Sequence, residues 1–229
     1  MKLDRIARTS CLAPVAAIML MLAGVLFPSP ASGQELIGRL KYGGGGDWYA
    51  NPTSLPNLLE FAREETNLDL PKRENVIEPG SHDIFDFAFI HATGHGNIHF
   101  NEAERKNLRD YLLSGGFLHV DDNYGLDEHF RPEVKKLFPD KELVELPFSH
   151  PIYHCFFDFS QGLPKIHEHH GGPPHGYAIV HEGRVVLFYS YNTDLGDGWE
   201  SEEVHHDPPA KHLAALKMGT NLLIYALSR

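Results

Sequence analysis

The sequence predicts an α/β domain whose sheet is mostly parallel, with an antiparallel hairpin at one edge. Three observations carry this expectation. Two buried-type runs, "DFAFIH" (86–91) and "FLHVDD" (117–122), flank a single amphipathic helical stretch, the strand–helix–strand arrangement of a right-handed parallel crossover. Near the C-terminus, "YAIVHEGRVVLFYSY" (177–191) places "HEG" between two β-rich runs and reads as a hairpin. The final stretch, "KHLAALKMGTNLLIYALS" (211–228), is densely apolar and suits a helix packed closely on that sheet.

The elements follow in order. Residues 1–33 read as a secretory signal peptide: Lys2, Arg5 and Arg8 precede the apolar "LAPVAAIMLMLAGVLF", and "ASG" offers small residues before Gln34. The apolar run is short for a membrane span, and an uncleaved leader is the only membrane attachment the sequence offers. Residues 34–229 are then one domain. "LIGRLKY" (36–42) reads as a first strand, and "GGGGD" (43–47) as the loop that ends it. Thr53 or Ser54 is placed to cap a helix whose Leu55, Leu58, Leu59 and Ala62 share one face. Asn101 and Glu104 have capping-box spacing at the start of "NEAERKNLRDYLLSGG", which Gly115 and Gly116 stop. A charged helix is expected near 127–137, then a His/Pro-rich irregular region from 147 to 176. Asp207 is placed to cap the last helix, opened by Pro208 and Pro209.

The formal net charge is −11. Nucleic acid and anionic membrane surfaces are excluded as partners on this ground, because phosphate contacts need clustered Lys and Arg. Cations, neutral small molecules and basic protein surfaces fit better. Of the two cysteines, Cys11 lies in the leader, so Cys155 stands alone and forms no internal disulfide. Its apolar "CFFDF" setting suits a buried, inert thiol.

Sixteen histidines make metal binding the chemistry to consider first. In an open parallel sheet, ligands bind beyond the carboxyl ends of the strands. Two such ends carry ligand-type side chains: His91 with His95 after one strand, and His119, Asp121 and Asp122 at the tip of the next. Imidazole and carboxylate together suit zinc or another first-row divalent ion, with His91, His119 and Asp121 as its ligands. The plainer alternatives are a hydrogen-bonded core role for His119 and a turn for Asp121, Asp122 and Asn123. His99 belongs to the entry of the following helix. "YNTDLGDGWE" (191–200) adds Asp194, Asp197, Trp199 and Glu200 after a strand end, a composition suited to a sugar, a cation or a protein, or to a tight turn. His150, His154, His167, His169 and His170 form a second group, and His205 and His206 a third. For these the plain loop reading is preferred, and no complete catalytic motif is present.

The ordered blocks "GRLKYGGGGDWYANP", "DFAFIHATGHGNIHF", "LRDYLLSGGFLHVDD", "ELPFSHPIYHCFFDF" and "GRVVLFYSYNTDLGDGWE" resemble the bacterial domain of unknown function 4159 family across residues 36–228. The resemblance implies a flavodoxin-like, class I glutamine amidotransferase-like three-layer α/β/α sandwich and no established activity. It does not carry over the amidotransferase triad, since Asp121 and Asp122 stand where a nucleophilic cysteine would follow a central strand. The expected function is therefore a periplasmic or secreted ligand- or metal-binding module using His91, His95, His119, Asp121, Asp122, Asp194 and Trp199. A divalent-metal-dependent hydrolase and a structural partner in an envelope complex are the alternatives.

Overall fold

The computed structural model describes residues 36–168 and 170–228. The expected leader and His169 lie outside the described residues. Seven strands form one sheet in the order β2-β1-β3-β4-β7-β6-β5. These are β1 (Leu36–Leu40), β2 (Asn75–Ile77), β3 (Phe87–Ala92), β4 (Leu118–Asp121), β5 (Val144–Glu145), β6 (His175–His181) and β7 (Arg184–Tyr191). The first five in that order pair in parallel, a 2-1-3-4-5 succession of the flavodoxin type. The β6–β7 hairpin and the short β5 add antiparallel pairings at one edge, as the "HEG" turn predicts.

Alternation along the strands creates two apolar faces. On one, Ile37, Phe89, Phe117 and Phe188 pack against α1 (Ser54–Glu65) and α6 (Pro209–Leu227). On the other, Leu40, Ile90, Leu118, Val120 and Tyr189 pack against α2 (Glu102–Leu113) and α3 (Asp127–Leu137). The result is three layers. Among the described residues, no helix is long and apolar enough to cross a membrane.

Local signals set several boundaries. The capping box at Asn101 forms in both directions, with the Glu104 amide donating to the Asn101 side chain and the Asn101 amide to Glu104. Thr53 departs from its expected role: its hydroxyl and amide both donate to Glu200 across the molecule, and α1 starts without a side-chain cap. Asp207 likewise makes no cap for α6, whose cap position is Pro208. The strand β2 escapes notice in sequence because Asn75 and Val76 lie exposed at the sheet edge, where burial leaves no pattern.

The last helix approaches the sheet closely at one point. A Cβ on Gly219 would lie 2.6 Å from Leu58 Cδ1 and 2.8 Å from Trp199 Cε2. Only a residue without a side chain lets α6 settle against α1 and Trp199. Gly219→Val is expected to lower stability by about 1–3 kcal/mol through overpacking, read as a lower midpoint in urea unfolding. An unchanged midpoint would show that this crossing is not tightly packed.

Candidate functional site

Four polar side chains replace hydrophobic ones at the carboxyl end of the α1/α6 face. His91 on β3 is in register with His119 on β4, and Asp121 on β4 with Ser190 on β7. Adjacent strands lie about 4.7–4.9 Å apart, and the two imidazoles stack at that spacing, with ring centroids 4.9 Å apart. Their Nδ1 atoms approach to 3.0 Å. His119 Nε2 is 2.8 Å from Ser190 Oγ, which is 2.5 Å from Asp121 Oδ1. All four residues are fully buried. Burial drives His119 down to about 3 and His91 well below the ordinary histidine value, so both rings are neutral. Burial, with Asp194 opposite, holds the Asp121 carboxyl well above its usual range. Trp199, which the sequence offers as a ligand-binding residue or the staple of a tight turn, is fully buried, its ring 5.1 Å from His91 and 5.5 Å from His119.

The same Asp121 fastens the segment that follows β7. Its Oδ2 accepts from Gly196 N at 2.6 Å and its Oδ1 from Leu195 N at 3.2 Å. Asn192 and Asp194 adopt left-handed backbone conformations, with φ of 58° and 57°, which non-glycine residues visit mainly when they are Asn or Asp. This turn leads into the single-turn helix α4 (Leu195–Gly198). Beyond it, Trp199 Nε1 donates to Ala215 O, Asn57 donates to Trp199 O, and Glu200 accepts from Thr53. The segment is tied to β4, α1 and α6 at once, so the side chains it carries stand on a rigid base.

Outside the buried stripe, that segment meets two other loops. His167 is placed by backbone bonds of Ile166, whose N–H donates to Thr193 O and whose carbonyl accepts from Lys211 Nζ. His205 ends α5 (Glu202–His205). His167, Asp197 and His205 each present one ligand atom, all within 4.8 Å of one another. Asp197 Oδ2 lies 3.2 Å from His167 Nδ1 and 3.8 Å from His205 Nε2, and Asp194 Oδ2 lies 3.4 Å from His167 Nδ1. Two atoms bound tetrahedrally at about 2.0–2.1 Å from one zinc ion stand roughly 3.3–3.4 Å apart. The His167–Asp197 separation of 3.2 Å is close to that value, and the His205–Asp197 separation of 3.8 Å is wider.

The groups behind these three have the character of supporting ligands. Asp207 Oδ2 sits 3.2 Å from His167 Nε2, orienting the ring from its far side. Asn51 and Asn123 both donate to Asp197 Oδ1, which leaves Oδ2 for the cluster. Asn51 is set in turn by the buried Arg39, which donates to the Ala50 and Asn51 carbonyls. Asp194 and Asp197 push His167 up to about 10, so at neutral pH its imidazolium is the counter-ion of the surrounding carboxylates.

The sequence-predicted residues thus divide. His91, His119 and Asp121 join one buried chain, with Trp199 against it, while Asp194 reaches the His167 cluster. Asp122 is buried, and its Oδ2 accepts from Asn192 N. His95 stands apart at the surface, where its ring and its amide both meet Asp47. His99 pairs with Glu133 of α3 at the entry to α2. Cys155 is not the buried residue expected: it is exposed overall, yet its Sγ donates to Asn221 O and local burial pushes the thiol up to about 11, which keeps it unreactive. Sequence reasoning left His167 and His205 among plain loop histidines and gave Asp207 to the helix cap. Their only shared signal was an acidic residue beside or shortly before each histidine pair, and nothing along the chain links residue 167 to residue 205.

The chain belongs to the family described as Domain of unknown function (DUF4159), which matches residues 36–227. A comparison with curated proteins finds no match.

Asp122 gives this region a measurable pH dependence. Burial raises its carboxyl from 3.8 to about 6. The folded state therefore binds this proton more tightly than the unfolded one, so the contribution of Asp122 to stability is greatest below pH 4 and falls as pH rises to about 6. Asp122→Asn is expected to remove that fall and to gain roughly 3 kcal/mol over the wild type at pH 7, taking about 1.4 kcal/mol per pK unit. Denaturant midpoints at pH 4 and pH 7 would show it. Parallel pH profiles for the two proteins would contradict it.

Proposed function

We propose that this chain is an exported protein that binds a divalent first-row cation, zinc foremost, at His167, Asp197 and His205, beyond the carboxyl ends of the sheet strands. The observation that carries the reading is the convergence of two imidazoles and a carboxylate at zinc-ligand spacing. Mixed nitrogen and oxygen donors suit zinc. Asp207 and the Asn51–Asn123 pair supply the outer support that real ligand sets carry. The acidic surroundings draw a cation and hold it after His167 yields its proton. Export rests on the basic and apolar pattern of residues 1–33, and the amidotransferase-like fold of the resemblance enters without amidotransferase chemistry.

A second reading is favoured by one feature. Three protein ligands leave a coordination position for water, which is the pattern of catalytic rather than structural zinc. A bound ion would supply an activated water there, and Asp194, 3.4 Å from His167 Nδ1, would take its proton. Zinc-dependent turnover on ester, phosphate, amide or glycoside substrates would favour this hydrolase reading over simple binding.

Untagged protein is expected to take up one zinc ion per chain by elemental analysis and calorimetry. His167→Ala and Asp197→Ala should each weaken binding at least tenfold, and Asn51→Ala by about 10- to 100-fold. His175→Ala, on the edge hairpin, should leave it unchanged. Full zinc binding by a His167→Ala, His205→Ala double variant would overturn the site. The mature protein is expected in the exported fraction with its N-terminus at Gln34, checked by mass spectrometry; an intact leader on cytoplasmic protein would contradict export.

A further inference from the structure

We infer that Asp121, Ser190, His119 and His91 form a two-state hydrogen-bond chain that reverses direction and releases one proton when a divalent cation occupies the neighbouring cluster. The inference rests on the cation-binding reading above and names how that site is coupled to the interior.

The geometry limits the chain to two arrangements. Its three contacts run from Asp121 Oδ1 to Ser190 Oγ at 2.5 Å, from Ser190 Oγ to His119 Nε2 at 2.8 Å, and from His119 Nδ1 to His91 Nδ1 at 3.0 Å. A serine hydroxyl and a neutral imidazole each carry one hydrogen, so each interior member donates on one side and accepts on the other; the further acceptor near Ser190 Oγ, Val120 O at 3.3 Å, is the longest of its three contacts, and the two shorter ones order the chain. In the first arrangement a protonated Asp121 donates to Ser190, Ser190 to His119 Nε2, and His119 Nδ1–H to His91 Nδ1; the His91 hydrogen then sits on Nε2. In the second, an ionised Asp121 accepts from Ser190, Ser190 accepts from His119 Nε2–H, and His119 Nδ1 accepts from His91 Nδ1–H. The second arrangement holds one proton fewer. That proton passes to solvent; the Ser190 hydroxyl turns from His119 to Asp121, and each histidine exchanges an N–H bond on one ring nitrogen for an N–H bond on the other.

Both arrangements have support in the surroundings, so the chain is balanced. The Leu195 and Gly196 amides favour the ionised carboxylate. Burial and the Asp194 and Asp197 carboxylates facing it favour the protonated form. On the far side, Arg39 of β1 faces His91 and opposes a positive charge there. The hydrogen bonds of Asp121 go to Ser190, Leu195 and Gly196, not to any of the three proposed ligands, so the cation acts on it through charge. With the cluster empty, the facing carboxylates hold the proton on Asp121. A dication on Asp197 cancels that charge, and the amides then hold Asp121 ionised. His91 Nε2, which finds no hydrogen-bond partner among the described residues, accepts either end state because it meets no fixed donor or acceptor.

The test uses Zn²⁺ as the probe on the untagged full chain. Calorimetric titration at pH 7 in two buffers of different ionisation enthalpy counts protons released per zinc. His167 gives up its own proton in every protein, so a difference between proteins isolates the chain. Asp121→Asn, whose amide donates like a protonated carboxyl, is expected to release one proton fewer than the wild type. In ¹⁵N-histidine spectra of the wild type, the His119 hydrogen is expected to move from Nδ1 to Nε2 on zinc addition and to stay on Nδ1 in Asp121→Asn. The wild-type shift needs no variant to fold. Zinc binding with an unchanged His119 tautomer, or with equal proton counts in the two proteins, would overturn this inference and leave the cation reading intact. Absence of zinc binding by the wild type would overturn both.

Discussion

The strand tips are organised around one buried carboxylate. Asp121 lies at the end of β4 without solvent contact, and removing a carboxylate from water is costly unless hydrogen bonds replace what water supplied. Two backbone amides donate to it here, and the Ser190 hydroxyl lies within hydrogen-bond distance. Because the amides belong to Leu195 and Gly196, meeting that requirement fixes the segment after β7. The positions of Asp194 and Asp197 follow from it. Trp199, anchored to α6 by its indole N–H, closes the same segment from the other side. Replacing Asp121 by an apolar residue would orphan two buried amides and loosen the segment that carries two of the site's carboxylates.

Carboxylate crowding gives the site its chemical character. Asp194, Asp197 and Asp207 converge on the single ring of His167. Like charges so close are held together only by a positive partner, and without a metal that partner is the imidazolium. On the proposed reading a divalent ion would replace that one positive charge with two, in exchange for the His167 proton. The asparagines on Asp197 orient it without adding charge. Arg39, a buried cation that would otherwise compete for the carboxylates, is occupied by Glu74 and by two backbone carbonyls.

Much of the scaffold was legible along the chain because local rules govern it. The capping box at Asn101 and Glu104, the "HEG" hairpin and the i, i+3, i+4 spacing in α1 are short-range signals, and each element formed where its signal lies. The strands "FAFIHA" and "LHVD" were likewise readable as buried runs with polar tips. The meeting of His91 with His119 followed from placing two strands side by side. The cluster was not legible, since it joins loops at residues 167, 197 and 205, and their approach depends on tertiary packing of the His/Pro-rich segment through Ile166 and Lys211. Trp199 was left undecided for a related reason: its "DGWE" context suits a ligand site or a tight turn, while the rigid turn after β7 rotates the ring into the α1/α6 core. Thr53 and Asp207 have cap-like positions in sequence, yet distant partners, Glu200 and His167, claim their oxygen atoms.

The central claim is that the loop before β6 and the segment after β7 form one cation site. The most direct measurement is anomalous diffraction at the zinc edge from crystals of untagged protein grown with zinc. The account predicts a single strong peak within about 2.0–2.2 Å of His167 Nδ1, His205 Nε2 and Asp197 Oδ2. Zinc found only at surface pairs such as His175 and Glu145, with the His167 ring still bridging its carboxylates, would contradict it.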